Sequence, residues 1–203
     1  MKTKVLFALI VLSTLSLNTI AQEKENAEVL TVGKRFGFEL SGGASFATSK
    51  PGDAKLNSGF GFEGIFHYQF MPHAGVYGGW GWNRFGANKS FAGLDVCFEE
   101  TGYVLGLQFK HPIGTKALSY YLRAGGLYNH IEIENKDGDI IGDTDHGLGF
   151  QLAAGIDYTL GKNWSITPGL KFNYLNRDVE MGGVTTSLNH NYLSFRVGFL
   201  KRF

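Results

Sequence analysis

Residues 59–70 read Gly-Phe-Gly-Phe-Glu-Gly-Ile-Phe-His-Tyr-Gln-Phe, and this strict two-residue alternation constrains the fold more than any other feature of the chain. One parity holds Phe60, Phe62, Phe66, Tyr68 and Phe70; the other holds Gly59, Gly61, Glu63, His67 and Gln69. A period of two sends these sets to opposite faces of a β-strand. The split recurs at Phe36–Phe46, Val76–Asn83, Gly102–Lys110, Leu118–Asn129, Leu148–Tyr158, Trp164–Tyr174 and Tyr192–Phe203. That predicts about eight strands of roughly ten residues, the lower end of the strand numbers of membrane barrels. Composition agrees: 29 glycines would each cost a helix interior about 1 kcal/mol. Aromatic residues at 14% argue against disorder.

Alternation leaves open whether the greasy face points inward, as in a soluble lipocalin-type binding barrel, or outward to lipid. Three features choose the second. The polar parity carries Glu, Lys, Arg, Gln and Asn among its glycines, suiting a narrow ion-paired lumen. The apolar parity is rich in Phe, Leu, Trp and Tyr on every strand, more than a small barrel can hold inside. Aromatic residues also gather in two bands. One contains Phe46, Phe60, Trp82, Tyr103, Tyr128, Phe150 and Tyr174; the other contains Phe36, Phe70, Phe109, Tyr120, Tyr158, Trp164 and Phe203. Such girdles bracket a bilayer. In lipid only a closed barrel satisfies every strand N–H and C=O, so the sheet must close.

The connections alternate as well. Met71–His73, His111–Lys116 and Gly161–Asn163 are short; Thr48–Asn57, Gly86–Glu100, Glu134–His146 and Asp178–His190 are long and polar. Short turns face the periplasm and long loops the exterior in an up-and-down membrane barrel. Pro168, inside the seventh strand, has no N–H for the ladder and predicts a bulge. Lys201 falls on the lipid parity beside a rim, where its stem can snorkel.

Lys2 and Lys4, the apolar run Val5–Leu17 and the small residues before Gln22 form a secretory signal pattern, with cleavage expected after Ala21. The expected organisation is a signal peptide over 1–21, a short periplasmic segment over 22–34 and a transmembrane β-barrel domain over 35–203. Cys97 is the single cysteine, so no disulfide forms within the chain. A formal net charge of +1 gives no basic field for nucleic acid.

The alternating Phe195, Val197 and Phe199 with terminal Phe203 resemble the C-terminal strand signal that outer-membrane barrels show their assembly machinery. Gly155–Tyr158 through Asn163–Ile166 is similar to the penultimate hairpin of OmpA-type and opacity-type barrels, and Phe98–Gly106 resembles a strand of the porin-family barrels of Bacteroidetes. The resemblance implies an eight-stranded antiparallel up-and-down barrel in a Gram-negative outer membrane. It also implies lipid and lipopolysaccharide as surroundings, and the barrel-assembly machinery as a partner through Phe203. A monomer is expected.

Seven charged residues fall on the lumen parity. Counting from the periplasmic strand ends puts Glu39, His67, Arg123 and Asp157 at one depth, and Glu63, Lys171 and Arg196 about four residues further in. Enclosed charges must pair, because an uncompensated buried ion costs several kcal/mol. The expected role is structural, with an ion-conducting gate as the alternative. The acidic stretch Glu132–His146 contains Asp137-Gly138-Asp139, which hints at calcium, but its spacing does not match an EF-hand and it reads as a solvated surface loop. A lipid A deacylase would need a lipid-facing Ser/His/acid set. Ser194 lies near His190 in sequence, yet parity turns Ser194 inward and the deacylases' His-x-Ser-Asn arrangement is missing. Neither catalysis, a metal site nor a cofactor is expected. The chain reads as a structural or surface-interacting protein, with a loop-based adhesin and an accessory of envelope assembly or secretion as further alternatives.

Overall fold

The computed structural model describes residues 34–114 and 117–203. The expected signal peptide, and all but the last residue of the segment after it, lie outside the described residues. From Arg35 onward the chain forms one unit. Its strands are β1 (Phe36–Ala47), β2 (Gly59–Gln69), β3 (Ala74–Ser90), β4 (Gly93–Pro112), β5 (Leu118–Glu134), β6 (Ile140–Asp143), β7 (Gly147–Gly161), β8 (Trp164–Tyr174), β9 (Asn176–Met181), β10 (Val184–Asn189) and β11 (Tyr192–Arg202). Eight of them make a ring in the order β1, β2, β3, β4, β5, β7, β8, β11, each antiparallel to its neighbours. The remaining three, β6, β9 and β10, are short additions at the long-loop end.

The ring closes where β1 pairs with β11, from Gly37 opposite Arg202 to Ala47 opposite Tyr192. Beyond that seam the Phe203 N–H donates to the Phe36 carbonyl at 2.9 Å, and the Phe36 N–H donates back at 3.3 Å. An open edge in hydrocarbon would leave a row of such groups unpaired, at several kcal/mol each.

The alternation read from the sequence is realised on all eight strands. Leu105 and Leu148 are 71% and 80% exposed, whereas Glu39 and Glu63 on the opposite parity are 2% and 5% exposed. Apolar outside and polar inside is the arrangement of a barrel solvated by lipid. Lys201, on the outer face, lays its ammonium 4.8 Å from the centre of the Trp164 ring at the short-turn rim. There a cation–π contact accompanies the snorkelling expected of it.

The short turns follow simple stereochemistry. Between β7 and β8, Lys162 and Asn163 both take positive φ (48° and 69°), as a two-residue type I′ hairpin demands. Gly182 and Gly183 do the same between β9 and β10. Pro168 departs from the sequence expectation of a bulge. Gly155–Gly169 and Tyr158–Ile166 keep one register, with the ladder interrupted between them. On its other edge Pro168 pairs regularly with Val197. The missing N–H therefore costs ladder bonds toward β7 without shifting the strand, and the irregularity of that pair falls at Thr159/Gly161.

Loop lengths also differ from the sequence reading. Gly86–Glu100 is a continuation of β3 and β4 that turns at Phe91-Ala92, and Asp178–His190 is mostly the β9–β10 hairpin. β4 spans 20 residues, about twice the 9–11 that a tilted strand needs to cross a bilayer. The excess stands above the outer aromatic band. There the inward parity turns apolar: Phe85, Ala87, Val96, Phe98, Ile131, Ile133, Val179 and Leu188 are all buried. Most of them pack in one cluster with Ala54 from the β1–β2 connection. In water an apolar interior is the stable choice, so the rule inverts on leaving the membrane.

Inside the membrane section two tyrosines fill the bore by lying on glycines. Tyr121 covers Gly155 and Gly169, and Tyr77 covers Gly106 and Gly125. A Cβ at Gly155 would stand 2.5 Å from both the Tyr121 hydroxyl and the Pro168 carbonyl oxygen. Gly155→Ala should therefore destabilise the barrel by about 1–3 kcal/mol through overpacking. Urea unfolding in detergent micelles, followed by the heat-modifiable shift in gel mobility, checks this.

Candidate functional site

The enclosed bore carries the chain's concentrated chemistry, and strand register stacks it in levels. At the short-turn end Asp157 (β7) accepts from Lys110 (β4) at 2.7 Å and from Arg202 (β11). Next, Glu39 (β1) accepts from Arg123 (β5) at 2.6 Å and from Thr167 Oγ1 at 3.1 Å, and lies 3.0 Å from His67 Nε2. Arg123 Nε donates to Gln108 at 2.8 Å. The guanidinium also sits over the Tyr121 ring, 4.3 Å from its centre, with the Tyr77 ring 5.6 Å away. The same tyrosines that fill the bore thus flank its central cation.

Above this, Glu63 (β2) accepts from Lys171 (β8) at 3.1 Å and from Gln151 at 3.2 Å. Higher still, Glu100 (β4) gathers Asn83 at 2.6 Å, the Tyr192 hydroxyl at 2.6 Å and Asn129. Asn173 donates to that hydroxyl at 2.6 Å. Arg196 donates to Asn83 Oδ1 and, at 3.5 Å, to Ser45 Oγ. The apolar cluster then lies over the polar levels, with Phe85, Leu175 and Tyr192 buried at the junction.

The seven residues singled out in the sequence all face the bore. Glu39, His67 and Arg123 meet, as do Glu63 and Lys171. Asp157 does not join Glu39; it pairs at the rim with Lys110 and Arg202. Arg196 makes no hydrogen bond to the Glu63–Lys171 pair; its guanidinium reaches Asn83 and Ser45 instead. Counting from strand ends orders the charges by depth but names no partner; the reach of the side chains decides that, with Lys110 and Arg202 at Asp157 and Asn83 and Ser45 at Arg196. Glu100, Asn83, Asn129, Gln151 and Tyr192 escaped notice as site residues. Glu100 ends the Gly86–Glu100 stretch that reads as a loop in the sequence, though its parity with Gly102 and Val104 marks it as inward. No candidate triad forms: Ser194 Oγ is 2.7 Å from Ser45 Oγ, and neither His190 ring nitrogen has a hydrogen-bond partner.

His190 sits at the long-loop end between β10 and β11, edge-on to Phe85 with ring centres 4.8 Å apart. Burial pushes its imidazole down to about 4 from the usual 6.5. The folded state therefore binds fewer protons at this group than the unfolded state between these values. Its contribution to stability is complete above pH 6.5 and disappears as pH falls toward 4.

The family model for the outer membrane protein beta-barrel domain matches residues 7–203. The chain belongs to that family. It is accordingly a multi-pass β-barrel protein of the outer membrane. Among solved structures it is similar to Neisserial surface protein A (TM-score 0.61, 16% identity, covering 83% of this chain and 97% of that one). It is also similar to OprG of Pseudomonas aeruginosa (0.56, 14%, 84% and 98%) and to outer membrane protein W of E. coli (0.55, 16%, 84% and 98%). At such identities the shared property is the fold. A search of the curated proteins finds no match.

Two outcomes are expected. Glu39→Ala strands the Arg123 charge in the bore and should cost about 3–5 kcal/mol in urea unfolding, much of it recovered when Arg123→Met is added. His190→Leu should flatten the loss of stability between pH 6.5 and 4, measured by the same unfolding at stepped pH.

Proposed function

We propose that this protein is a closed, non-conducting and non-enzymatic outer-membrane barrel that works at the cell surface through its raised hairpins. The filled bore carries this reading. Side chains from every spanning strand meet inside it, from the Asp157 rim pair through the Glu39–Arg123 and Glu63–Lys171 levels to the apolar cluster above Glu100. An eight-stranded barrel has room inside for little beyond its own side chains. In this reading the ion pairs hold the barrel shut and orient the strands, while the outer ends of β3, β4, β5, β9 and β10 present the working surface.

The remaining assignments follow the same reading. Residues 1–21 serve as an export signal. Phe203, half exposed and stacked 6.4 Å from Phe36 beside the closing seam, serves as the handle for the assembly machinery. The barrel acts as a monomer among lipid and lipopolysaccharide. The likeness of Phe98–Gly106 to Bacteroidetes porin-family strands supports kinship with those barrels.

Planar-bilayer recording of the refolded protein should give no stepwise conductance, and steps from the native barrel would return the channel alternative. Mass spectrometry of lipid A from cells with and without the protein should give matching acyl patterns. A changed pattern would make the protein an enzyme.

A further inference from the structure

The acidic stretch after β5 does not form a calcium cradle around Asp137 and Asp139. Both backbone N–H groups donate to Asn135 Oδ1 at 2.9 Å, which ties the segment into a turn. A different set of ligand-bearing groups converges nearby. His130 and Glu132, two residues apart on β5, share its outer face, and Asp143 on β6 stands directly opposite Glu132 in the ladder. His130 Nδ1 lies 3.1 Å from an Asp143 oxygen and 3.9 Å from a Glu132 oxygen, and one ligand atom from each residue lies within 4.8 Å of the others.

We propose that His130, Glu132 and Asp143 bind a divalent transition-metal ion of the zinc type on the extracellular face of the barrel. Four ligands at about 2.05 Å from a tetrahedral ion stand roughly 3.3 Å apart; the imidazole nitrogen and Asp143 already have this spacing at 3.1 Å, and rotation of the Glu132 side chain closes the rest from 3.9 Å. The donor types fit as well. One nitrogen with two carboxylates suits zinc and its neighbours, whereas calcium takes six to eight oxygens. Two carboxylates balance the charge of the ion. Without a cation the Glu132–Asp143 pair places like charges directly opposite each other across an antiparallel ladder, a destabilising arrangement.

The scaffold beneath the three side chains is firm. On the inward parity Ile131 and Ile133 are fully buried in the apolar cluster. The Ile131 N–H donates to Thr144 Oγ1 at 2.9 Å, and the Thr144 N–H returns to the Ile131 carbonyl at 3.1 Å. The Asp145 N–H holds the Asp143 carboxylate at 3.1 Å, the kind of outer support that orients a metal ligand. The His146 ring stacks on His130 with centres 4.3 Å apart, bringing a second imidazole to the edge of the cluster. A bound ion would clamp β6 to β5 and leave a coordination position open to the exterior.

The test uses the full chain refolded in detergent micelles, stripped with EDTA and titrated with zinc chloride by calorimetry, with metal content read by mass spectrometry. One zinc per barrel is expected. Affinity should drop more than about tenfold in both His130→Ala and Asp143→Asn, the loss that even outer supports of a metal site carry. Heat-modifiable gel mobility verifies that each variant is folded. The assignment is overturned by the absence of stoichiometric zinc or by unchanged binding in both variants. It is equally overturned if binding is lost instead with His73→Ala at the opposite rim, or if calcium displaces zinc at equal concentration.

Discussion

Closure of the sheet is the constraint on which the rest of the molecule depends. Hydrocarbon offers no partner to a peptide group, so the first and last strands must find each other, and β1 and β11 do so along their whole length. Once the ring is shut its bore is fixed in width, and every inward side chain must be accommodated within it. Glycine and tyrosine divide that space between them: rings from Tyr77 and Tyr121 lie across backbone where Gly106, Gly125, Gly155 and Gly169 leave room. Charges fill what remains, held by counter-charges at Glu39, Glu63 and Asp157 and by neutral donors at Glu100, because the enclosure denies them water.

The ionic levels are not independent of the packing. Arg123 touches the carboxylate of Glu39, the amide of Gln108 and the faces of both tyrosines, so electrostatics and volume are met by one residue. Glu63 and Lys171, from strands across the ring, brace the next level, and Tyr192 joins the Glu100 level to the apolar cluster through its hydroxyl and its ring. Four carboxylates therefore tie together strands that are not neighbours in the sheet, which the ladder alone cannot do.

Much of this was legible in the sequence because a bilayer enforces a sharp two-residue code. Which residue faces lipid, how many strands cross and which charges enter the bore all follow from parity, and Glu39 with Arg123 and Glu63 with Lys171 come together as depth counting suggests. Two things were not legible. The choice of partner leaves no local mark, so the contacts of Asp157 with Lys110 and Arg202, and of Arg196 with Asn83, emerge only from the fold. Polarity also reverses above the rim: Phe85, Phe98 and Ile131 point inward on a parity that lower down carries Asn83, Glu100 and Asn129. A reading keyed to apolar residues facing lipid ends its strands where that reversal begins, and so the tall β3–β4 hairpin reads as a loop. The His130–Asp143 cluster is not legible for a different reason: it needs β6 to lie beside β5.

The reversal of polarity along single strands also separates two regimes of substitution. Below the rim a residue answers to lipid on one side and to a crowded, charged bore on the other, and few substitutions satisfy either. Above it, the outer parity leaves the hydrocarbon and the tips turn on pairs such as Gly182-Gly183, both at positive φ. Those crests can be rebuilt without disturbing the membrane section, so a single scaffold can present many different faces to the world outside the cell.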